Sequence, residues 1–369
     1  DMAMGTSQML GCLTERLQEI SEDAALTCFG QEFNPETYAI AKADMLIKGG
    51  NASGMKFGDT LSDDAFSGYE FDYIISNPPF GIDWKREKAQ VENEAKRGFD
   101  GRFGPGLPAI SDGQMLFMLN GVKKLKEGSG RMAIIQNGSS LFTGDAGSGA
   151  SEIRRYVIEG DLVEAIIQLP TDLFYNTGIS TYIWVLTKGK AMYRSGKVQL
   201  IDASKCFVKR RKNIGSKRVD LDDACIDLIL RAYEKFSNET YEENGLVVES
   251  KVFDNSFFGF TKVTVETAQA DKDGKFILKK GKKQPVKGAS DTEIIPLSED
   301  SEAYMKKNVL PYNPLAYIDP AKDKIGYEVP FTRLFYKFEA PASSDSIFEE
   351  IKALEAEETI LMKELFGHA

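Results

Sequence analysis

Histidine is almost absent. Among 369 residues the one imidazole is His368, next to the last residue. Ser-His-Asp and Cys-His catalysis need an imidazole bonded to the nucleophile, and His-based metal sites need it as a ligand, so neither class fits. Cysteine is scarce as well. Cys12, Cys28, Cys206 and Cys225 stand far apart with no C-x-x-C pair, which speaks against structural zinc and for reduced thiols in a cytoplasmic protein. No apolar run is long enough to cross a bilayer, and no signal-peptide pattern is present. A basic excess is also lacking: 46 Lys and Arg face 56 Asp and Glu, for a net charge of −10. That disfavours a stand-alone nucleic-acid binder, though not a local contact or one supplied by a partner. A full Gly-x-Gly-x-x-Gly is missing, which disfavours a pyrophosphate-bearing dinucleotide. Chemistry is left to carboxylates, amides, aromatics, backbone groups or a cofactor.

The most informative residues present are Asn77-Pro78-Pro79-Phe80. They end a strand-like run, Phe71 to Ser76. Two prolines in a row cannot continue a ladder, so the backbone is forced into a stiff, extended corner with free carbonyls. The Asn77 side-chain oxygen and the Pro78 carbonyl can each accept one hydrogen of an exocyclic NH2. The Phe80 ring can stack on the plane that bears it. The plain alternative is a Pro-Pro turn after a buried strand.

Around this corner the first two-thirds of the chain alternates helical and strand patterns. Helices are predicted at Met9–Ile20, Asn34–Ile47, Asp112–Leu125 and Gly149–Ile158, with Asn34 as N-cap and Pro35 at the first helical position. Strands are predicted at Leu26–Gly30, Phe71–Ser76, Arg131–Ile135, Leu162–Leu169, Tyr182–Leu186 and Val198–Ile201. Continuous apolar strands separated by helices imply an α/β protein with a mostly parallel sheet covered on both faces. The last two strands lack a helix between them and read as an antiparallel edge pair. From Asp220 the pattern changes: a helix at Leu221–Phe236, a strand-like run at Phe253–Val265, a tight turn at residues 271–274, an irregular polar stretch at Pro285–Glu302, and a terminal helix from Ser346 to Leu365. This gives three segments: 1–219, a C-terminal α+β extension at 220–345, and 346–369.

Open parallel sheets bind ligands at the carboxyl ends of their strands. Glu32 follows one such end, and a carboxylate there can accept from both hydroxyls of a ribose. Asp59 closes another, where it can take the amino group of an adenine. Asn77 closes the third. Asp1-Met2-Ala3-Met4-Gly5-Thr6-Ser7 precedes a helix and reads as a turn able to approach a cofactor.

This order resembles the S-adenosylmethionine-dependent amino-methyltransferases, and more closely the modification subunit of type I restriction-modification systems, a DNA adenine-N6 methyltransferase. Gly30-Gln31-Glu32-Phe33-Asn34-Pro35, Gly58-Asp59-Thr60-Leu61 and Asn77-Pro78-Pro79-Phe80-Gly81 match its ribose, adenine and catalytic motifs. Ser111-Asp112-Gly113-Gln114 and Leu173-Phe174-Tyr175-Asn176 match later ones, and Ile325-Gly326-Tyr327-Glu328-Val329-Pro330-Phe331 is typical of this family. The resemblance implies a Rossmann-like methyltransferase sheet, S-adenosyl-L-methionine as cofactor held by Asp1, Gly5, Thr6, Glu32, Asp59 and Asn77, and catalysis by Asn77, Pro78, Pro79 and Phe80. Phe174 or Tyr175 is a candidate for the other face of the base. The first motif departs from the usual Asp-Pro-x-x-Gly-Ser/Thr-Gly. The first, central strand should precede it and has no residues in this sequence, so residues 1–369 alone are expected to bind the cofactor weakly or not at all.

Implied partners are DNA, a specificity subunit and a restriction subunit. The terminal helix, with apolar positions Ile347, Ile351, Leu354, Ile360, Leu361 and Leu365, is the candidate docking element. Two basic runs, Lys205 to Arg218 and Lys275 to Lys287, can contact phosphates or be solvated loops. Cytosine-N4 or protein-glutamine methylation, and a non-catalytic DNA-binding or scaffold role, stay open at this point.

Overall fold

The computed structural model describes residues 1–272, 275–338, 341 and 343–366. His368 and the second half of the turn at 271–274 lie outside them. The chain divides into two compact units, Asp1–Phe331 and Thr332–Ala369.

The first unit opens with α1 (Gln8–Ile20), β1 (Gly30–Glu32), α2 (Pro35–Ile47), β2 (Met55–Phe57), β3 (Tyr73–Ser76), α3 (Lys88–Ala95), α4 (Gln114–Lys124) and β4 (Arg131–Asn137). Then come α5 (Ser139–Phe142), α6 (Gly149–Glu159), β5 (Val163–Gln168), β6 (Thr181–Thr187), β7 (Lys197–Lys205), a hairpin of β8 (Val208–Ile214) and β9 (Lys217–Asp220), and α7 (Asp223–Lys235). The rest is β10 (Glu239–Glu243), β11 (Leu246–Asp254), β12 (Gly259–Ala268), the short pair β13 (Leu278–Lys279) and β14 (Lys282–Lys283), β15 (Pro285–Pro296), α8 (Ser301–Tyr304), β16 (Ala316–Ile318) and β17 (Lys324–Tyr327). α9 (Phe331–Phe335) follows, and in the second unit α10 (Ser344–Phe366) exposes Ile347, Ile351, Leu354, Leu361 and Leu365.

α2 starts as its sequence dictates. The Asn34 side chain accepts from the N–H groups of Glu36 and Thr37, both at 3.0 Å, and Pro35 needs no partner for an N–H it lacks.

The main sheet has seven strands in the order β10-β11-β7-β5-β6-β4-β3. β3 and β4 are parallel, as are β5 and β7, while β6 runs antiparallel between β4 and β5. The pair read from sequence as the antiparallel edge, Tyr182–Leu186 with Val198–Ile201, is therefore separated: β6 is interior, and the antiparallel edge is β10 with β11. Buried Ile134, Ile166, Trp184, Leu186 and Leu200 explain why these strands carry near-continuous apolar runs. β1 and β2 form a separate parallel pair. The strand predicted at Leu26–Gly30 begins later, at Gly30, because only Gly30 to Glu32 find ladder partners, on Met55 to Phe57.

No strand of the described residues passes between β1 and β3. A cavity of about 520 Å³ lies there, lined by Asp1, Met2, Phe29, Phe66, Phe71 and Ile75 among others.

Residues after Asp220 pack onto the same unit. α7 buries Cys225, Leu228 and Ala232 against Ile201 and Val248 of β7 and β11. β12 pairs with β15, β16 and β17 in an antiparallel sheet. β15 covers most of the stretch expected to be irregular. The segment Ile325–Phe331 is held by α6: buried Arg154 donates through Nε to the Tyr327 carbonyl at 2.6 Å, and the Tyr327 N–H donates to Ser151 Oγ at 3.0 Å. Burial lowers the Arg154 guanidinium to about 10.

Candidate active site

β3 ends at Ser76, whose hydroxyl donates to Asp1 Oδ1 at 2.7 Å. Beyond it Pro78 is buried, Pro79 is exposed, and Asn77 and Phe80 are half-buried. The Asn77 Oδ1 is itself buried and has no hydrogen-bond partner among the described residues. A buried acceptor left alone costs about 1–3 kcal/mol, so such an atom in a folded chain is a candidate for a group supplied from outside.

A second cluster lies at the ends of β1 and β2. Glu32 is 9% exposed. Its Oε2 accepts the Gly5 N–H at 3.0 Å and its Oε1 accepts the Asn34 N–H at 2.9 Å. Gly5 sits at φ +54°, a left-handed turn that suits glycine, and Thr6 follows it. The Gly58 N–H donates to the Glu32 carbonyl at 3.0 Å, which brings the Asp59 turn alongside. Asp59 Oδ1 takes the N–H groups of Leu61 and Ser62, both at 2.8 Å, and the Ser62 hydroxyl at 3.0 Å. One carboxylate oxygen thus builds the turn, and Oδ2 has no partner in the described chain. Through the Ser76–Asp1 and Gly5–Glu32 bonds, the segment Asp1–Ser7 joins the ends of β1 and β3.

Phe174 and Tyr175 lie on the loop after β5, at the same carboxyl edge of the sheet as Asn77. Their loop is separated from the Asn77 corner by β6 and β4 in strand order. Phe174 is half-buried, and Tyr175 is 60% exposed with the Lys217 ammonium 5.2 Å from its ring centroid. The cavity between β1 and β3 is lined by neither Asn77 nor Pro78. It is lined largely by Leu10, Leu13 and Leu17 of α1, the segment before β1 and the stretch that enters β3.

Two polar networks behind these residues escape the sequence. In the first, Arg102 pairs with Glu94 of α3 (Nε–Oε1 2.8 Å, Nη2–Oε2 2.6 Å) and donates to the carbonyls of Thr60 at 2.7 Å and Leu61 at 3.0 Å. It clamps the turn that Asp59 begins. Burial raises the Glu94 carboxyl, but its bonds to Arg102 outweigh this and hold it below the ordinary glutamate range. In the second, Gln114 Nε2 lies 2.7 Å from Asp112 Oδ2, 2.8 Å from Asn137 Oδ1 and 2.6 Å from Ser139 Oγ, and the Asn137 N–H donates to Gln114 Oε1 at 3.0 Å. Gly81, just past the corner, directs its N–H at Asp112 Oδ1, 3.4 Å away. The only trace of this network in the sequence is Ser111-Asp112-Gly113-Gln114, which carried no assigned role.

Residues 1–273 match the family model for N-6 DNA methylases. The chain belongs to that family. It is 28% identical over 218 residues to the type I restriction enzyme MjaIX methylase subunit of Methanocaldococcus jannaschii, covering 58% of this chain and 38% of that protein. With the HindI methylase subunit of Haemophilus influenzae it shares 28% identity over 255 residues, or 68% and 54% of the two chains. The crystal structure of the type I restriction-modification system methyltransferase subunit from Streptococcus thermophilus superposes with a TM-score of 0.57 at 27% identity, covering 70% of this chain and 50% of that one. The chain thus spans between about two-fifths and half of the length of these relatives. No helix of the described residues is long and apolar enough to cross a membrane.

Proposed function

We propose that this family member transfers a methyl group from S-adenosylmethionine to adenine N6 in DNA, in the cytoplasm, as the modification subunit of a type I restriction-modification complex. The observation that carries this reading is the buried, unpartnered Asn77 Oδ1 next to the Pro78 carbonyl, which accepts no hydrogen bond from the described chain. Two acceptors at one corner match the two hydrogens of an exocyclic amine.

The residues present fit the cofactor. Each Glu32 oxygen has spent one lone pair on a backbone N–H and keeps another for a ribose hydroxyl. Asp59 Oδ2 has no partner in the described chain and can accept an adenine amino group, and Gly5 adds no Cβ to the turn beside Glu32. When bound, the cofactor supplies an electrophilic methyl on a sulfonium centre.

The protein's part is orientation and electrostatics. The N6 lone pair of adenine is delocalised into the ring and is a poor nucleophile. Acceptors on both N–H groups, Asn77 and the Pro78 carbonyl, favour the geometry in which that pair localises, and they stabilise the positive charge that develops on nitrogen. No base with a pKa near 7 is required, which suits a chain without a usable histidine. The target base has to leave the duplex, and Phe80 is the surface on which it stacks. Phe174 and Tyr175 are candidates for its other face.

The specificity and restriction subunits are the proposed partners, with the apolar seam of α10 as docking element. We propose 1–219 as the catalytic segment, 220–345 as an extension of it and 346–369 as the docking segment, which carries most of α10. Asn77→Ala should abolish methyl transfer to DNA by the assembled complex while S-adenosylmethionine affinity changes by less than a few-fold. Wild-type turnover in that variant would remove Asn77 from the reaction.

A further inference from the structure

We propose that Asn137 is a second base-reading amide: it donates its Nδ2–H to the ring nitrogen flanking the amino group held by Asn77. This rests on the reading of the Asn77 corner given above.

The sheet register places the two amides together. Ser76 pairs with Ile134 across the parallel β3–β4 ladder. Continued by one residue past its last paired position, that register sets Asn77 opposite Ile135, and Asn137 lies two residues further along β4. Side chains alternate faces, so Asn77, Ile135 and Asn137 share one face of the sheet. The half-buried positions of both strands, Ile75 and Asn77 against Ala133, Ile135 and Asn137, follow that alternation. Two residues of rise and one interstrand spacing put the two Cα atoms about 8 Å apart, a span that a purine edge can bridge through two side-chain amides.

The hydrogen bonds fix which end of Asn137 faces outward. The Ser139 backbone N–H, which can only donate, points at Asn137 Oδ1 at 2.9 Å. The Ser139 hydroxyl at 2.6 Å and Gln114 Nε2 at 2.8 Å converge on the same oxygen. Gln114 cannot be turned the other way, because its Oε1 accepts the Asn137 backbone N–H. The Asn137 oxygen is saturated and held inward by a closed network that ends on Asp112. Its Nδ2 donates to nothing in the described chain, on a residue that is half-buried at the carboxyl edge. Asn77 offers a lone acceptor and Asn137 a lone donor. That pair complements an amine next to a ring nitrogen, the N6–N1 or N6–N7 edge of adenine. On cytosine the N4 amine has such a nitrogen on one side only.

The test uses duplexes built on the sequence that the wild-type complex methylates, with adenine, 7-deazaadenine or 1-deazaadenine at the target. One of the two analogues should be methylated about tenfold more slowly than adenine, as expected when a donor loses its acceptor. Asn137→Asp, which keeps the oxygen that Ser139 and Gln114 bind, should slow transfer to adenine by a similar factor and leave the sensitive analogue unaffected. A merely structural role for Asn137 would slow all three substrates alike, and that result overturns the proposal. So would equal rates on all three bases with wild-type protein, a measurement that needs no variant to fold. No methyl transfer to adenine by the wild-type complex would sink the reading of the Asn77 corner, and this inference with it.

Discussion

Glu32 has both oxygens engaged before any ligand arrives, by the N–H groups of Gly5 and Asn34. It therefore orders two segments, the turn before α1 and the entry to α2, and its charge strengthens both bonds. Glu32→Gln keeps one acceptor but points an NH2 at the other N–H. The variant should lose about 1–3 kcal/mol of stability and most of its S-adenosylmethionine affinity; calorimetry on the assembled complex with unchanged affinity would rule out the ribose role. Glu32, Asp59 and Asn77 were legible as candidates because each stands at or just beyond the end of a strand-like run, Glu32 being the last residue of β1. Asn137 and Asp112 were not. Their meaning depends on bonds between residues 23 to 27 positions apart, and no local pattern announces those.

The β8–β9 hairpin carries cations that nothing in the described chain neutralises. Arg210 and Lys217 share Asp220, whereas Lys209, Arg211, Lys212 and Arg218 have no acidic partner. Three of the hairpin's N–H groups donate to the loop that holds Tyr175: Ser216 to the Tyr175 carbonyl at 2.9 Å, and Arg218 and Val219 to the Asp172 carbonyl at 2.8 and 3.4 Å. Replacing the four unpaired cations by Gln should weaken duplex binding and reduce the slope of log K against log salt by about 3 to 4. An unchanged slope would return the run to the status of a solvated loop. At this scale the sequence served helices better than edge strands. α2 was legible from Asn34-Pro35, and α10 from its apolar spacing. β15 was not, because its twelve residues are mostly exposed and held by ladder bonds to β12, so no apolar alternation marks them.

The order of the main sheet follows from contacts that no window of sequence contains. β6 leaves β5 by a loop and inserts on its far side, against β4, and its apolar run reads the same wherever it lies. The Arg102 network is long-range in the same way: it joins α3, the turn after Asp59 and α4, and Lys124 and Asp64 pair beside it. Glu94→Gln should destabilise the whole first unit by about 2 kcal/mol, below the roughly 3–5 kcal/mol of a fully buried pair because Glu94 retains some solvent contact. The pH dependence has a definite sign. The folded-state pKa of Glu94 is depressed, so its contribution is fully present above the unfolded-state glutamate value, about 4.3. It is lost as pH falls through the folded-state value. Urea unfolding of wild type and Glu94→Gln at pH 7, 5, 4 and 3 should therefore give a stability gap that is constant down to about pH 5 and narrows at pH 4 and 3. A gap independent of pH would mean that Glu94 acts through packing and not through its charge.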